Sequence, residues 1–302
     1  MEINNCNSGD ELLRFSAADS ALRVSVARTT ALVDHICHLH GTDPTASVAL
    51  GRLTTAAALM SSLLKDDQRL ALSVEGNGPL RKLQAEADAC GSVRATVAQP
   101  QCGVAPRDGR YDVAAAVGKA GFLQVIKDLG LKEPYRGMVQ LVSSEIGEDI
   151  AWYFTNSEQI PTAVGLGVEL DKNGAVAASG GYLIQAMPNA DSAAIERVEG
   201  NIAANAGVSA LLRSASTLEE MVAKLLDGLE YKLLGQTQLS FSCRCSRRFV
   251  LAMLTAMSAQ ELREMCDNDG GCEVECHYCR QKYHFSATEL ADIIAVSNSG
   301  NN

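Results

Sequence analysis

Apolar and polar positions change rhythm several times along this chain. Leu22-Arg23-Val24-Ser25-Val26 alternates at period two, as a half-buried strand does. Thr29 to His40 reads as a short helix stopped by Gly41. Pro44 to Lys65, rich in Ala, Leu and Met with few breakers, reads as a long packed helix. Leu70–Val74 is strand-like again and runs into Gly76-Asn77-Gly78-Pro79, a strong turn signal. Further strands are expected at Ser92–Val97, Gly121–Ile126, Gly137–Val142 and Gly181–Met187, with a helix around Glu148–Asn156 between them.

At Pro188-Asn189-Ala190 the rhythm shifts to the helical period. Ile195, Val198 and Ile202 form one apolar stripe. Thr217 with Glu220 suggests a capping box for a helix through about Leu234, a helix that would contain Gly228. The expected organisation is therefore an α+β core over 1–188, a helical linker over 189–240, a small C-terminal module over 241–296 and a polar tail over 297–302. The core should be a large, mostly antiparallel sheet with packed helices.

The 302 residues are 47% hydrophobic, enough for a sizeable core, and carry a formal net charge of −10. That balance argues against a general nucleic-acid or anionic-membrane surface. Met1 to Asp10 lacks a positive segment followed by an apolar one. The apolar stretch Ala56–Leu64 is broken by Ser61 and Ser62 and is too short to span a bilayer. The expectation is a soluble cytoplasmic protein.

Cysteine distribution changes the picture most. Cys6, Cys37, Cys90 and Cys102 are scattered over the first third, and then six cysteines fall between Cys243 and Cys279. Such clustering suits a metal site better than staples spread over a fold. Cys243-Arg244-Cys245 and Cys276-His277-Tyr278-Cys279 are separated by 30 residues. Four soft thiolates from two short motifs match what tetrahedral zinc requires, so all four are candidate metal ligands. Between and after them, Ser258 with Glu261 suggests a capped helix, Asp269-Gly270-Gly271 a turn, and Glu273-Val274-Glu275 and Arg280–Phe285 a pair of strands. Ser286 with Glu289 would cap a last helix. A module this poor in large apolar residues would need its metal to stay folded. A plain structural zinc ribbon is one reading. A redox role is the sharper one, because Cys-x-Cys is an unusual half-site for a static ribbon and its sulfurs are close enough to bridge. Arg244, Arg247 and Arg248 would favour thiolates there, and oxidised ligands would release zinc and unfold the module.

These motifs, together with Lys282-Tyr283-His284-Phe285, Pro134-Tyr135-Arg136-Gly137, the stretch from Tyr153 to Thr162 and Gly180–Gln185, occur in an order that resembles the redox-regulated heat-shock protein 33 family. The likeness covers nearly the whole chain. It implies a non-enzymatic, ATP-independent holdase of the stress response that binds unfolding client proteins and protects them from oxidative and heat-induced aggregation. It implies one zinc held by Cys243, Cys245, Cys276 and Cys279 in the reduced, inactive state. It further implies redox-active disulfides Cys243–Cys245 and Cys276–Cys279 on oxidation, with unfolding of switch and linker and formation of a homodimer. Client contacts are expected on the core and linker, including the Ile195–Ile202 stripe. Cys266 and Cys272 depart from the family's four-ligand pattern. Cys272, four residues before Cys276, lacks the knuckle spacing and reads as a packed or partly exposed bystander.

Weaker candidates have plainer explanations. His35, Cys37, His38 and His40 invite a second metal site, but Cys37 points off the face that His35 and His38 share, and histidines before Gly41 suit a helix C-terminus. Gly76-Asn77-Gly78 lacks the rest of a phosphate loop. Two other functions compete: a nucleic-acid-binding zinc ribbon and a thiol oxidoreductase. Over residues 243–286 six positive and six negative side chains cancel, which weakens the first. Cys276–Cys279 lacks the strand-to-helix setting of a thioredoxin motif, which weakens the second.

Overall fold

The computed structural model describes residues 9–299 apart from 20, 189 and 206. The contacts divide the chain into a unit ending at Ser242 and a second unit beginning at Cys243. Cys6 and most of the N-terminal stretch lie outside the described residues, as does the end of the expected tail, 300–302.

The first unit runs β1 (Glu11–Ala17), β2 (Leu22–Arg28), α1 (Thr30–His40), α2 (Pro44–Ser61), β3 (Arg69–Gly76), β4 (Lys82–Asp88), β5 (Ser92–Val97) and α3 (Val113–Val117). It continues with β6 (Gly121–Asp128), β7 (Tyr135–Gln140), α4 (Gly147–Tyr153), a π-helical turn at Phe154–Glu158, β8 (Thr162–Leu170) and β9 (Val176–Ala186). Then come α5 (Ser192–Ala204), α6 (Val208–Ser214), α7 (Leu218–Leu225), β10 (Tyr231–Gln238) and β11 (Ser240–Phe241). The strands divide into two sheets, ordered β10-β1-β2-β9-β8 and β11-β5-β4-β3-β6-β7. Pairing is antiparallel throughout except for β11 on β5, so the α+β, mostly antiparallel architecture is as expected.

Helix α2 explains how the two sheets are joined. Asp43 caps it by accepting from the Ala46 N–H, and Pro44 supplies a preset first turn. Nearly every residue from Thr45 to Ser61 is buried, so the helix serves both sheets. Its small side chains permit this. A Cβ on Gly51 would stand 2.7 Å from Val33 Cγ1 and 2.9 Å from Val168 Cγ2. The buried hydroxyls are satisfied locally, with Thr54 donating to the Leu50 carbonyl at 2.7 Å and Thr55 Oγ1 meeting Thr29 Oγ1 at 2.7 Å.

The five-stranded sheet is buried on both faces. Leu12, Ala27 and Leu183 join the core around α2, whereas Leu13, Phe15, Val24, Val26, Tyr182 and Ile184 form a second core with α5–α7. Strand periodicity of two makes this division, sending Leu12 and Leu13 to opposite sides. Gly165 lets α6 lie close, since a Cβ there would be 2.4 Å from the Tyr182 ring and 2.7 Å from Val208 Cγ2.

Several expectations need correction. The long helix stops at Ser61, short of Lys65. The helix begun at Thr217 stops at Leu225, not near Leu234. Gly228, with φ +79°, lies in the turn beyond it, and the chain returns as β10, which pairs with β1 and forms the edge of the sheet. The segment 189–240 is thus helical only to Leu225, and both its helices and its strand pack into the first unit. Strands β1, β4, β8, β10 and β11 lie outside the expected set.

The second unit contains α8 (Arg247–Thr255), α9 (Ala259–Asp269), β12 (Gly271–Glu275), β13 (Lys282–Ser286) and α10 (Ala287–Ser299). Ser258 and Glu261 form the capping box of α9. Glu289 accepts from Ser286 N–H at the start of α10. Helix α8, capped by Ser246, is an addition to the expected elements. Residues 297–299, expected in a polar tail, continue α10. Among the described residues this unit's core is small: Val250, Leu254, Leu262, Phe285, Leu290, Ile293 and Ile294.

Candidate metal centre

Two short backbone devices build the site. Cys243-Arg244-Cys245 lies in the non-helical stretch that ends where Ser246 caps α8 by accepting from Phe249 N–H. Cys276 to Cys279 form the turn between β12 and β13. The Cys276 N–H donates to the Gln281 carbonyl and the Arg280 N–H to the Cys276 carbonyl, each at 2.9 Å, and Arg280 takes the left-handed conformation at φ +57°. This closed knuckle presents both sulfurs to the same side.

The four Sγ atoms converge, all within 4.8 Å of one another and each on a half-buried residue. Cys243 and Cys276 are 3.6 Å apart, and Cys245 and Cys279 3.1 Å. A tetrahedral zinc with sulfur at about 2.3 Å requires sulfurs about 3.8 Å apart, so the donor set and its spacing fit that ion. The Tyr283 hydroxyl donates to Cys245 Sγ at 3.2 Å, a support that the cysteine spacing did not suggest. The period of two from Phe285, which enters the small core, back to Tyr283 was the available signal.

Electrostatics favour a cation here. Burial pushes the Cys245 thiol up, and it pushes Cys279 far up, with the Cys245 hydrogen bond adding to the effect. Four thiolates this close repel one another without a positive charge between them. Arg247, expected to supply some of that charge, is otherwise engaged. Its guanidinium stacks on Phe285 at 4.2 Å, donates to the His284 carbonyl at 2.7 Å and pairs with Glu289.

The other candidates do not join this group. Cys266 and Cys272 pack against the small core of the same unit. The α1 residues stay apart: His40 places Nε2 3.1 Å from the Ala95 carbonyl, buried Cys37 faces the Ser47 carbonyl, and His35 lies against Phe241. In the Ile195–Ile202 stripe, Val198 is buried in the second core and Ile202 packs partly against it.

The model of the family described as Hsp33 protein matches residues 10–286. The chain belongs to the Hsp33 family. Its Hsp33 relatives include the 33 kDa chaperonin of Syntrophotalea carbinolica, 50% identical over 286 residues that make up 95% of this chain and 99% of the relative. The 33 kDa chaperonin of Geobacter sulfurreducens is 46% identical over 281 residues, 93% of each chain. The crystal structure of the 33 kDa chaperonin (heat shock protein 33 homologue) from Thermotoga maritima matches with a TM-score of 0.88 at 32% identity, covering 96% of this chain and 99% of that one. The Hsp33 match therefore takes in both units and all four converging cysteines. Among the described residues no helix is long and apolar enough to cross a membrane.

Proposed function

We propose that this Hsp33-family chain is a cytoplasmic, redox-regulated, ATP-independent holdase rather than an enzyme, and that its four-cysteine centre is the switch. The observation that carries this reading is the convergence of Cys243, Cys245, Cys276 and Cys279 in a unit whose own apolar core is small. A bound zinc ion would hold the four sulfurs as thiolates and clamp the two motifs together. In the reduced chain Tyr283 steadies Cys245, and the knuckle hydrogen bonds keep Cys276 and Cys279 aimed at the partner motif.

Peroxide would join Cys243 to Cys245 and Cys276 to Cys279. Each bond takes two electrons from two thiols and yields two waters. The donors are then spent, the clamp is gone, and a core of this size does not hold the unit by itself. Residues 189–240 then act as a linker. Lifting α5–α7 from the five-stranded sheet exposes Val198, Met221 and Val222 on one side and Phe15, Val24 and Val26 on the other. That surface would capture unfolding clients by apolar contact, and it would also support a homodimer of the oxidised chain.

The rival readings have less support. Cys276–Cys279 lies in a hairpin turn and not at a helix N-terminus, where a thioredoxin-type thiolate is stabilised. The second unit carries six basic and eight acidic side chains, which gives nucleic acid no broad footprint. Zinc content and free thiols, measured before and after peroxide with mild heat alongside an aggregation assay, test the switch. Loss of one zinc equivalent and four thiols as aggregation suppression appears is expected. Retained zinc with unchanged activity would reduce the site to a structural one.

A further inference from the structure

Cys266 and Cys272 belong to the second unit but not to its four-cysteine group. Cys266 lies in the last turns of α9 and Cys272 is the second residue of β12. Local geometry brings both to the junction of β13 and α10. Between them Gly270 ends α9 in the left-handed conformation, and its carbonyl accepts from the Ala287 N–H at 3.2 Å. The Cys266 thiol donates to the carbonyl of that same Ala287 at 3.6 Å. Cys272 is paired across the hairpin with Phe285, two residues earlier. Both cysteine side chains pack against the core that contains Phe285, Leu262 and Leu290. Burial, and next the nearby Cys266, push the Cys272 thiol up, as two sulfurs within electrostatic range would.

We propose that Cys266 and Cys272 are a second, metal-free dithiol, which peroxide closes to a disulfide after the four-cysteine centre has been oxidised. The ordering rests on the switch proposed above. One thiolate attacks a peroxide oxygen, breaking the O–O bond and giving a sulfenic acid and water. The other sulfur then displaces the sulfenic hydroxyl, forming the S–S bond and a second water, so two thiols are oxidised and one peroxide is reduced. Packing sets the order. Both sulfurs sit half-buried against the core, and Cys272 is held as the unreactive thiol until that core loosens. Six positions of separation make ring closure easy once the strand is released. Full oxidation of this unit therefore consumes six thiols in two phases.

The test uses the full-length, zinc-loaded, reduced chain, treated with hydrogen peroxide and mild heat and quenched at intervals with an alkylating reagent. Cleavage after glutamate yields peptide 265–273, which carries Cys266 and Cys272 and no other cysteine. We expect this peptide to become unalkylated and two hydrogens lighter, with a lag behind the loss of the other four thiols. Prior chelation of zinc should abolish the lag, and Cys272→Ser should remove the two-hydrogen loss from the peptide, leaving Cys266 either alkylated or carrying added oxygen. If the four ligands oxidise and peptide 265–273 stays doubly alkylated, the second dithiol is ruled out and the switch survives. If the peptide closes without lag while Cys243, Cys245, Cys276 and Cys279 remain reduced, the proposed order fails together with the switch. A cross-link from Cys266 or Cys272 to any other cysteine also overturns the pairing.

Discussion

Asp10 shows how one residue's setting governs a measurable property of the whole. Its carboxylate accepts the Leu32 N–H at 2.6 Å at the first turn of α1, yet the side chain is almost wholly buried. Burial outweighs the backbone donors and raises its pKa to about 6. The folded chain therefore holds this proton more tightly than the unfolded chain, whose aspartate titrates near about 3.9. The resulting stabilisation is fully present below about pH 4 and is lost as pH rises through about 6, on the order of 3 kcal/mol. Urea unfolding across that window should show the decline in the wild type and a flatter profile in Asp10→Asn, which keeps an acceptor for Leu32. Parallel profiles would remove Asp10 as the cause. Residue chemistry of this kind was not legible beforehand, because nothing in the sequence around Asp10 reveals its burial. The four cysteines were legible because thiolate donors and their spacing are themselves the signal.

At the scale of elements, the strands that escape the pattern do so for separate physical reasons. β10 has Leu233 and Leu234 exposed and, among the described strands, pairs only with β1, so it shows no alternation of buried and open positions. Its register also slips at Arg14/Phe15, which disrupts any simple period. β4 does alternate, but Ala85 and Ala87 carry the pattern weakly. β8 contains Gly165 and Gly167, which make room for α6 and read as breakers in isolation. By contrast the α5 stripe was plain from its spacing, and only its partner was unknown. That partner, the five-stranded sheet, makes Val198 a sensitive position. Val198→Asp places an uncompensated charge in the second core and should weaken docking of α5 by roughly 3 kcal/mol. If linker release exposes the client surface, the reduced, zinc-loaded variant should suppress aggregation without peroxide. An inactive variant whose α5 amides exchange freely would show that releasing this helix is not what enables client binding.

For the molecule as a whole, the two units differ in what holds them. The first has two extensive cores spanning both sheets, whereas the second depends on a few apolar side chains and the four-sulfur group. Chelation of zinc should therefore abolish amide protection across residues 250–294 while the cooperative thermal transition of the first unit persists. Hydrogen exchange with mass analysis separates the two responses, and protection that survived chelation would show that the apolar core alone suffices. The amino-acid sequence by itself determined the four-thiol make-up of the centre, the α+β class, the caps of α9 and α10 and the family likeness. Each of these resides in residue type and short-range spacing. Only the tertiary structure decided that α2 lies between two sheets, that α5–α7 cover one of them, that β10 adds to it beside β1, and that Tyr283 reaches Cys245. Those relations depend on which surfaces far apart in the chain become neighbours, and local periodicity carries no record of its partner.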